Sequence, residues 1–351
     1  MRRFTLLFFA LMLVGILPAG AQDAPSTLTL VTHDSFNASS DLLETFAEES
    51  GIAVQIVRVG DAGALVNQSI LSAGNPLGDV LFGVDNTFLG RALDANLFIP
   101  YESPLLENVI DELKTDPEFR VTPIDFGDVC LNYDAAYFAD NNLPLPESLL
   151  DLTDPTYRGM LAVQNPATSS PGLAFLLATV AAFGEEGDYT YLDFWRDLVE
   201  NEVYVSPDWT DAYYGQFSGS AGSEGSYPLV VSYASSPPVE VYFMEAPPET
   251  APTGAVVADN TCFRQIEYAG ILRGTENEEA ARQFIDFMLS DEFQADMPLQ
   301  MFVYPAVKDI ELPEVFTAYS TIPENPVQLE AAAIDEGRDR WIQAWTETVL
   351  R

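Results

Sequence analysis

Two long strand-like runs, residues 121–134 and 262–272, constrain the architecture most, because they interrupt a regular alternation of strand and helix. Before the first run the alternation is plain. Residues 27–32 (TLTLVT) read as a strand ending at His33-Asp34-Ser35-Phe36, and residues 41–50 place Leu42, Leu43 and Phe46 on one helical face before stopping at Gly51. Residues 53–59 form the next predicted strand and 61–73 the next helix, with Leu65, Ile70 and Leu71 apolar. Residues 79–84 are almost continuously apolar, as a buried parallel strand is, and end at Asp85-Asn86, where a helix is predicted that finishes near Asn96. This βαβαβα order predicts a doubly wound parallel sheet.

A second α/β set lies between the two runs. Residues 160–163 read as a strand, 171–183 and 191–200 as helices, 203–205 as a strand leading into a helix at Trp209, and 229–232 as a further strand. After the second run come a helix at 278–289 and a last one at 329–350, whose Trp341 and Trp345 lie one turn apart and read as core packing. Residues 218–226 (SGSAGSEGS) read as a flexible insert and 246–254 as a Pro-rich loop. The expected fold is α/β with two lobes, two doubly wound sheets joined by a two-strand hinge. Residues 27–125 and 263–351 would make lobe 1, and 126–262 lobe 2. One cysteine falls in each run, Cys130 and Cys262. A bridge between them would clamp the hinge without blocking lobe rotation; two free, buried thiols are the alternative.

The amino terminus bears on that choice. Met1-Arg2-Arg3, an apolar stretch over 4–17 and Ala19-Gly20-Ala21 make a charged, an apolar and a cleavage segment, so residues 1–21 read as a secretory signal peptide. No cysteine follows the apolar stretch, so no lipid anchor is expected, and no later stretch is long enough to span a bilayer. The expected location is periplasmic or extracellular, where disulfides persist. Lys+Arg is 15 against Asp+Glu 54, a net charge of −39, with Lys114 and Lys308 the only lysines. Such a surface repels nucleic acid and anionic lipid and attracts small cations, although acidity that merely keeps an exported chain soluble is the plainer reading. A hydrophobic content of 48% argues against disorder.

Chemistry is sparse. With one histidine and two cysteines a zinc site is not expected, and there is no Gly-rich phosphate loop of the nucleotide-binding types. A Ser-His-Asp triad would need His33, yet no G-x-S-x-G elbow accompanies it. No catalytic residue, metal or cofactor is therefore expected. The chain offers instead a set of similar strand endings: His33-Asp34-Ser35, Gly60-Asp61, Asp85-Asn86, Thr168-Ser169-Ser170-Pro171-Gly172, Asp208-Trp209 and Tyr233. In open α/β sheets ligands bind at such ends. Helix N-termini there favour anions and an aromatic rim favours a planar cation, while ordinary N-capping by Ser, Asp and Asn is the plain alternative. Asp208 stands where an N-cap belongs, which puts Trp209 and Asp211 in the first helical turn. Trp209 then reads either as a platform for a flat or cationic ligand or as a plug for a gap in the core.

With these residues in view, the chain resembles the thiamine-binding substrate-binding proteins of bacterial ABC importers, of the type II periplasmic-binding-protein family. The family's T-Y-D-S-F appears as Thr32-His33-Asp34-Ser35-Phe36, and its D-V-x-x-G-x-D-N as Asp79-Val80-Leu81-Phe82-Gly83-Val84-Asp85-Asn86. S-x-P-G-L matches Ser169-Ser170-Pro171-Gly172-Leu173, W-x-x-A-Y matches Trp209-Thr210-Asp211-Ala212-Tyr213, and S-Y-x-x-S-P matches Ser232-Tyr233-Ala234-Ser235-Ser236-Pro237. The terminal W-I-x-x-W is Trp341 to Trp345. The resemblance implies a two-lobed type II fold closing on thiamine or its phosphates, a monomer that delivers them to a permease and its ATPase. Carried over by motif, His33, Asp61, Ser169, Ser170, Trp209, Tyr233 and Phe302 would line the pocket, with Asp61 and the 169–172 turn at the polar or phosphate end. The sequence departs from the pattern where the family has a tyrosine (His33), a tryptophan (Phe302) and an aromatic shortly after S-P (Val239). These changes soften the aromatic cage, with His33, Phe302 and Tyr242 left to stack.

Two rivals share the expected fold. Adjacent Tyr213-Tyr214 with His33 resemble the twin-tyrosine and histidine ligands of ferric-iron-binding proteins, although neighbouring helical residues diverge by about 100°. Thiamine-degrading enzymes use a cysteine nucleophile, whereas both cysteines here lie in strand-like runs away from the turn motifs.

Overall fold

The computed structural model describes residues 26–327 and 329–351, and the signal peptide expected at 1–21 lies outside the described residues. The chain opens with three parallel strands, β1 (Ser26–Thr32), β2 (Ile52–Arg58) and β3 (Val80–Asp85), with β1 between the other two. All six residues of β3 are buried, as its unbroken apolar run requires. Helix α1 (Ser40–Ser50) joins β1 to β2 and α2 (Ala62–Leu71) joins β2 to β3. The helix expected from Asp85 starts only at Leu89, as α3 (Leu89–Asp94). The intervening residues are spent on fastening. Asp85 accepts hydrogen bonds from the Thr87 and Phe88 amides, while the Asn86 side chain bonds both the Arg264 carbonyl and the Ile266 N–H.

After the short strand β4 (Phe98–Ile99) comes β5 (Thr122–Asp134), the first of the two long runs. The second α/β set follows: α4 (Ala135–Asp140), β6 (Leu161–Gln164), α5 (Ser170–Phe183), α6 (Tyr191–Glu200), β7 (Tyr204–Ser206), β8 (Leu229–Tyr233), α7 (Pro237–Tyr242) and β9 (Thr253–Val256). The second long run is β10 (Phe263–Leu272). Helices α8 (Glu278–Met288) and α9 (Asp291–Gln300), strand β11 (Tyr304–Pro305), and helices α10 (Glu314–Tyr319) and α11 (Ala331–Val349) complete the chain.

The sheet runs in the order β2-β1-β3-β10-β5-β8-β6-β7. At each end the neighbours are parallel: β2, β1 and β3 on one side, β8, β6 and β7 on the other. Between them β10 and β5 pair antiparallel to each other and to the flanking strands β3 and β8. The two predicted parallel sets are therefore wings of one continuous hydrogen-bonded path, and the two long strands belong to both. Cys130 of β5 and Cys262, just before β10, form a disulfide that closes a loop of 132 residues. It sits where the register pairs Val129 with Phe263, as a clamp on the strand pair requires.

Packing follows the same division, with one addition. Helix α11 touches α3 on one side and α5 and α6 on the other, so the carboxyl-terminal helix braces both wings. Its Trp345 is fully buried and meets Trp195 of α6 edge to face, with ring centres 5.5 Å apart, the core role expected of it. Residues 218–226 are tied down instead of loose. The Ser218 hydroxyl donates to Asp134 at 2.7 Å, and the Ala221 N–H donates to Glu240 at 2.7 Å. Hydroxyl and backbone partners hold a segment whose small side chains could not.

Cross-linking two strands 132 residues apart removes chain entropy from the unfolded state. Replacing both cysteines with alanine is expected to lower the unfolding free energy by about 2–5 kcal/mol. Urea unfolding of the two proteins measures it, and an unchanged midpoint would show that β5 and β10 hold each other without the bridge.

Candidate functional site

A cavity of about 420 Å3 opens between the two wings, within the range of small-molecule sites. Its wall is built from the ends of elements. The turn after β1 supplies His33, Asp34 and Ser35; the start of α2 supplies Asp61 and Ala62; the start of α5 supplies Ser170 and Pro171. Trp209, Thr210 and Tyr214 come from the turn after β7, Tyr233 and Ser236 from the end of β8, and Gln265 and Glu267 from β10. Val239, Phe243 and the segment Gln300 to Val303 close the rim. Six of the seven residues expected at the site, His33, Asp61, Ser170, Trp209, Tyr233 and Phe302, thus share one wall. Ser169 is fully buried behind it, as the residue preceding α5.

The turn after β7 shows how Trp209 reaches that wall. Asp208 accepts a 2.8 Å hydrogen bond from the Asp211 N–H, the N-cap expected of it. From Asp211 to Gln216 the helix widens to π geometry, a form found mostly at functional sites. Trp209 and Tyr213, four residues apart, lie on one face and stack at 5.1 Å with 15° between their planes. The indole N–H donates to the Ser232 hydroxyl at 3.0 Å, which fixes the ring. Both sequence readings of Trp209 meet here, since the ring packs on the buried Tyr213 and also lines the cavity. Its backbone N–H points at the Asp61 carboxyl, 3.3 Å away, so the two wings touch across the cavity floor.

Two glycines seat two of the rings. Gly83 has a φ of 105°, and a Cβ there would collide with the imidazole of His33. A Cβ on Gly127 would stand 2.9 Å from the Tyr233 ring. The third aromatic, Phe302, has a φ of 54°, a left-handed conformation that is unusual for a bulky residue and held only by surrounding contacts. Its carbonyl accepts from the Ser235 hydroxyl at 2.7 Å, and its ring stacks on Phe316 at 6.1 Å.

The polar side of the wall carries an unusual charge. His33 is buried, with Nε2 3.1 Å from Glu267. Glu267 stands where the pairing of β10 with β5 slips register, between Glu267 and Tyr268, and such bulges re-aim side chains. Asp125 and Asp85 lie buried close by. Burial pushes Asp85 up to about 6 against the hydrogen bonds of Ser170 and Thr87. Burial, with Glu267 beside it, lifts Asp125 well above the usual carboxyl range. Burial also raises Asp61, opposed by the Ser169 hydroxyl and the Ala62 N–H. For His33, burial works against the charged ring, but Glu267, Asp61 and Asp85 outweigh it and the imidazole is raised.

The residues that sequence reasoning missed are chiefly Glu267, Gln265 and Phe243; Tyr214, also on the wall, was considered only as an iron ligand. Gln265 and Glu267 alternate on one face of a strand buried at every residue but Arg264, and that period of two was a readable signal. Phe243 lines the rim and is 77% exposed, whereas Tyr242, the residue expected to help stack, is not on the wall. Which of two adjacent aromatics faces inward depends on how α7 ends, which composition does not specify.

Asp61, Asp85, Asp125 and His33 all have folded-state pKa values raised above their unfolded ones. Each contributes stability that is full below the unfolded value and lost as the pH rises through the folded one. For Asp85 that window runs from 3.8 to about 6, and for His33 it opens at 6.5. Lowered surface carboxyls such as Asp193, at about 2, titrate below it. The ligand-free protein is expected to lose stability between pH 4 and 7, on the order of 2–3 kcal/mol from Asp85 alone. Urea unfolding across that range checks the slope, and Asp85→Asn should flatten it; a profile that rises with pH in both proteins would contradict the assignment.

Comparison with known proteins agrees with this geometry. The chain is 28% identical to the thiamine-binding periplasmic protein of Brucella suis biovar 1 (strain 1330), covering all of both chains. It is 27% identical to the thiamine-binding periplasmic protein of Escherichia coli (strain K12), over 93% of this chain and 95% of that one. A solved periplasmic thiamin binding protein superimposes with a TM-score of 0.81 at 26% identity, over 96% of this chain and all of that one. The fold is thus the two-lobed type II arrangement, its wings sharing the β5–β10 pair. Residues 75–320 match the family described as bacterial extracellular solute-binding protein, and the chain belongs to that family.

Proposed function

We propose that this chain captures thiamine, or a close relative of it, in the cavity between its wings and delivers it to the permease and ATPase of an ABC importer. One observation carries the reading: the rings of Trp209, Tyr233, Phe302 and His33 line a single cavity that also presents the carboxyls of Asp61 and Glu267. A planar, positively charged heterocycle is the ligand that uses both features, since aromatic faces attract cations and the carboxyls supply counter-charge. The thiamine-binding relatives, similar along their whole length, support it.

In this reading residues 27–125 and 263–351 move as one lobe and 126–262 as the other, about the β5–β10 pair. The protein acts as a monomer outside the cytoplasm after removal of the segment at 1–21, and it makes and breaks no bond. Among the described residues no helix is long and apolar enough to cross a membrane. Two observations weigh against the rivals. Tyr214 lines the cavity but Tyr213 does not; its ring lies buried against Trp209, so the pair cannot offer two phenolates to one ferric ion. Both sulfurs are held in the disulfide, which leaves no thiol nucleophile among the described residues.

A cation over an aromatic face gains about 0.5–2 kcal/mol per good contact. Trp209→Ala removes that contact and the floor it builds, and is expected to weaken thiamine binding at least tenfold. Isothermal titration calorimetry checks this, and an unchanged affinity would take Trp209 out of the site. Mass spectrometry of ligand released from the purified protein tests the ligand itself.

A further inference from the structure

We infer that Asp125, which stands off the cavity wall, tunes binding through Glu267: the two carboxyls share one proton in the empty protein, and a cationic ligand expels it. The inference rests on the thiamine reading, which supplies the cation. Glu267 of β10 is paired with Asp85 of β3 on one side and with Asp125 of β5 on the other. Residues directly opposite each other across a sheet share a face, so three carboxyls form a row over three adjacent strands. All three are buried, and of the three only Glu267 lines the cavity. Like charges so placed are destabilising, and carboxyls that share a site keep a proton between them.

Donors are spread unevenly along the row. Asp85 accepts from the Thr87 N–H and hydroxyl at 2.7 and 2.5 Å and from the Phe88 N–H at 3.3 Å. Glu267 has Nε2 of His33 at 3.1 Å. Oδ2 of Asp125 is buried with no hydrogen-bond partner among the described residues. A proton shared with the carboxyl opposite it, Glu267, supplies what that oxygen lacks. Burial and the neighbouring Glu267 raise Asp125 well above the usual carboxyl range, in keeping with a proton held there. Asp34 and Asp61 on the wall add negative charge and favour its retention. Three phenols nearby are raised by burial and stay neutral: Tyr233 of β8 donates to Gln265, Tyr268 of β10 bonds Thr115, and Tyr304 of β11 bonds Ser320. Arg264 lies on the other face of β10, closed on Asp128 at 2.6 and 3.0 Å. A cation at the wall favours the ionised form of Glu267. The carboxyl O–H bond then breaks, both carboxyls are left charged, and the proton passes to the buffer. Linkage is reciprocal, so a proton that the ligand expels is also one that opposes the ligand. Asp125 acts in this as a positioning residue for charge, without touching the ligand.

Calorimetric titration with thiamine, at one pH in two buffers of different ionisation enthalpy, counts the protons released. The wild-type protein is expected to release a proton on binding, and its affinity to rise by up to about tenfold per pH unit between pH 5.5 and 7.5. Asp125→Asn sets an amide donor opposite Glu267 and leaves that carboxyl ionised with no proton to share. It should lower the release, flatten the pH profile and bind thiamine several-fold more tightly than wild type at pH 5.5, whereas lost packing would weaken binding at every pH. Comparing the two proteins at each pH cancels the titration of the ligand's own aminopyrimidine. Glu267→Gln, with thermal melting to confirm that it is folded, is the second variant and should lower the release likewise. Thiamine binding with no proton released, a release that neither variant lowers, or one lost only in His33→Gln would overturn the inference while leaving the thiamine reading intact. Failure of thiamine to bind the wild-type protein at any pH would overturn both.

Discussion

The antiparallel pairing of β5 with β10 is the constraint on which the rest of the molecule depends. Each strand is a member of both wings, so every parallel strand is anchored to this pair, directly or through at most two neighbours. The disulfide at one end fixes where the two strands meet, and the register slip after Glu267 shifts their pairing by one residue before it continues through Tyr268 and Ala269. A sheet that changes from parallel to antiparallel at its centre leaves the ends of both parallel sets facing a common gap. That gap is the cavity. The site exists because two wings are fastened in one register, and no single wing supplies it.

The cavity is also where the chain gives up stability. Asp61, Asp85 and Glu267 act on one buried histidine, Asp125 lies buried beside Glu267, and burial disfavours the charged forms of the three aspartates. A hydrophobic lining would fold more firmly. Phe302 in a left-handed conformation and the π-helical turn under Trp209 point the same way, since both are local arrangements that isolated segments do not prefer. Strain and unpaired charge of this kind persist where a ligand makes use of them. A cation entering the cavity would meet the carboxyls of Asp34 and Asp61 and would share Glu267 with His33, so the burial that weakens the empty protein at Asp61 favours the occupied one.

The alternation of strand and helix was legible because it depends on local periodicity: period two or unbroken apolar runs for strands, three to four for helices. The two long runs were legible for the same reason, and so was the position of each cysteine within them. What local pattern could not show was which strands pair. The sequence reading of two separate sheets and the continuous path through β5 and β10 differ only in pairings between residues more than a hundred positions apart, such as Phe263 with Val129. Strand endings were readable as a set, and six of the seven expected residues share the cavity wall. Ser169 differs from Ser170 by one step of a helix start, and that step turns it from the wall to the interior. Glu267 was hidden because a charged residue in a buried strand looks like an exception until the bulge beside it is known.

The three departures from the aromatic pattern illustrate how such a site tolerates change. At the first, a histidine stands where the T-Y-D-S-F pattern that the sequence resembles would put a tyrosine, and its imidazole remains on the wall, seated by Gly83 and paired with Glu267. A ring that carries charge contributes differently from a phenol, since it competes with a cationic ligand for the same carboxyl. At the second, Phe302 keeps a flat face with its back to Phe316. At the third, Val239 lines the rim without a ring, but Phe243, four residues on and across from Phe302 at 6.5 Å, stands exposed at the same mouth. An apolar ring left that open to water gains most when something covers it. Aromatic surface lost at one position of the rim is therefore present at another, and the cage is better described by the faces that meet the cavity than by the positions that supply them.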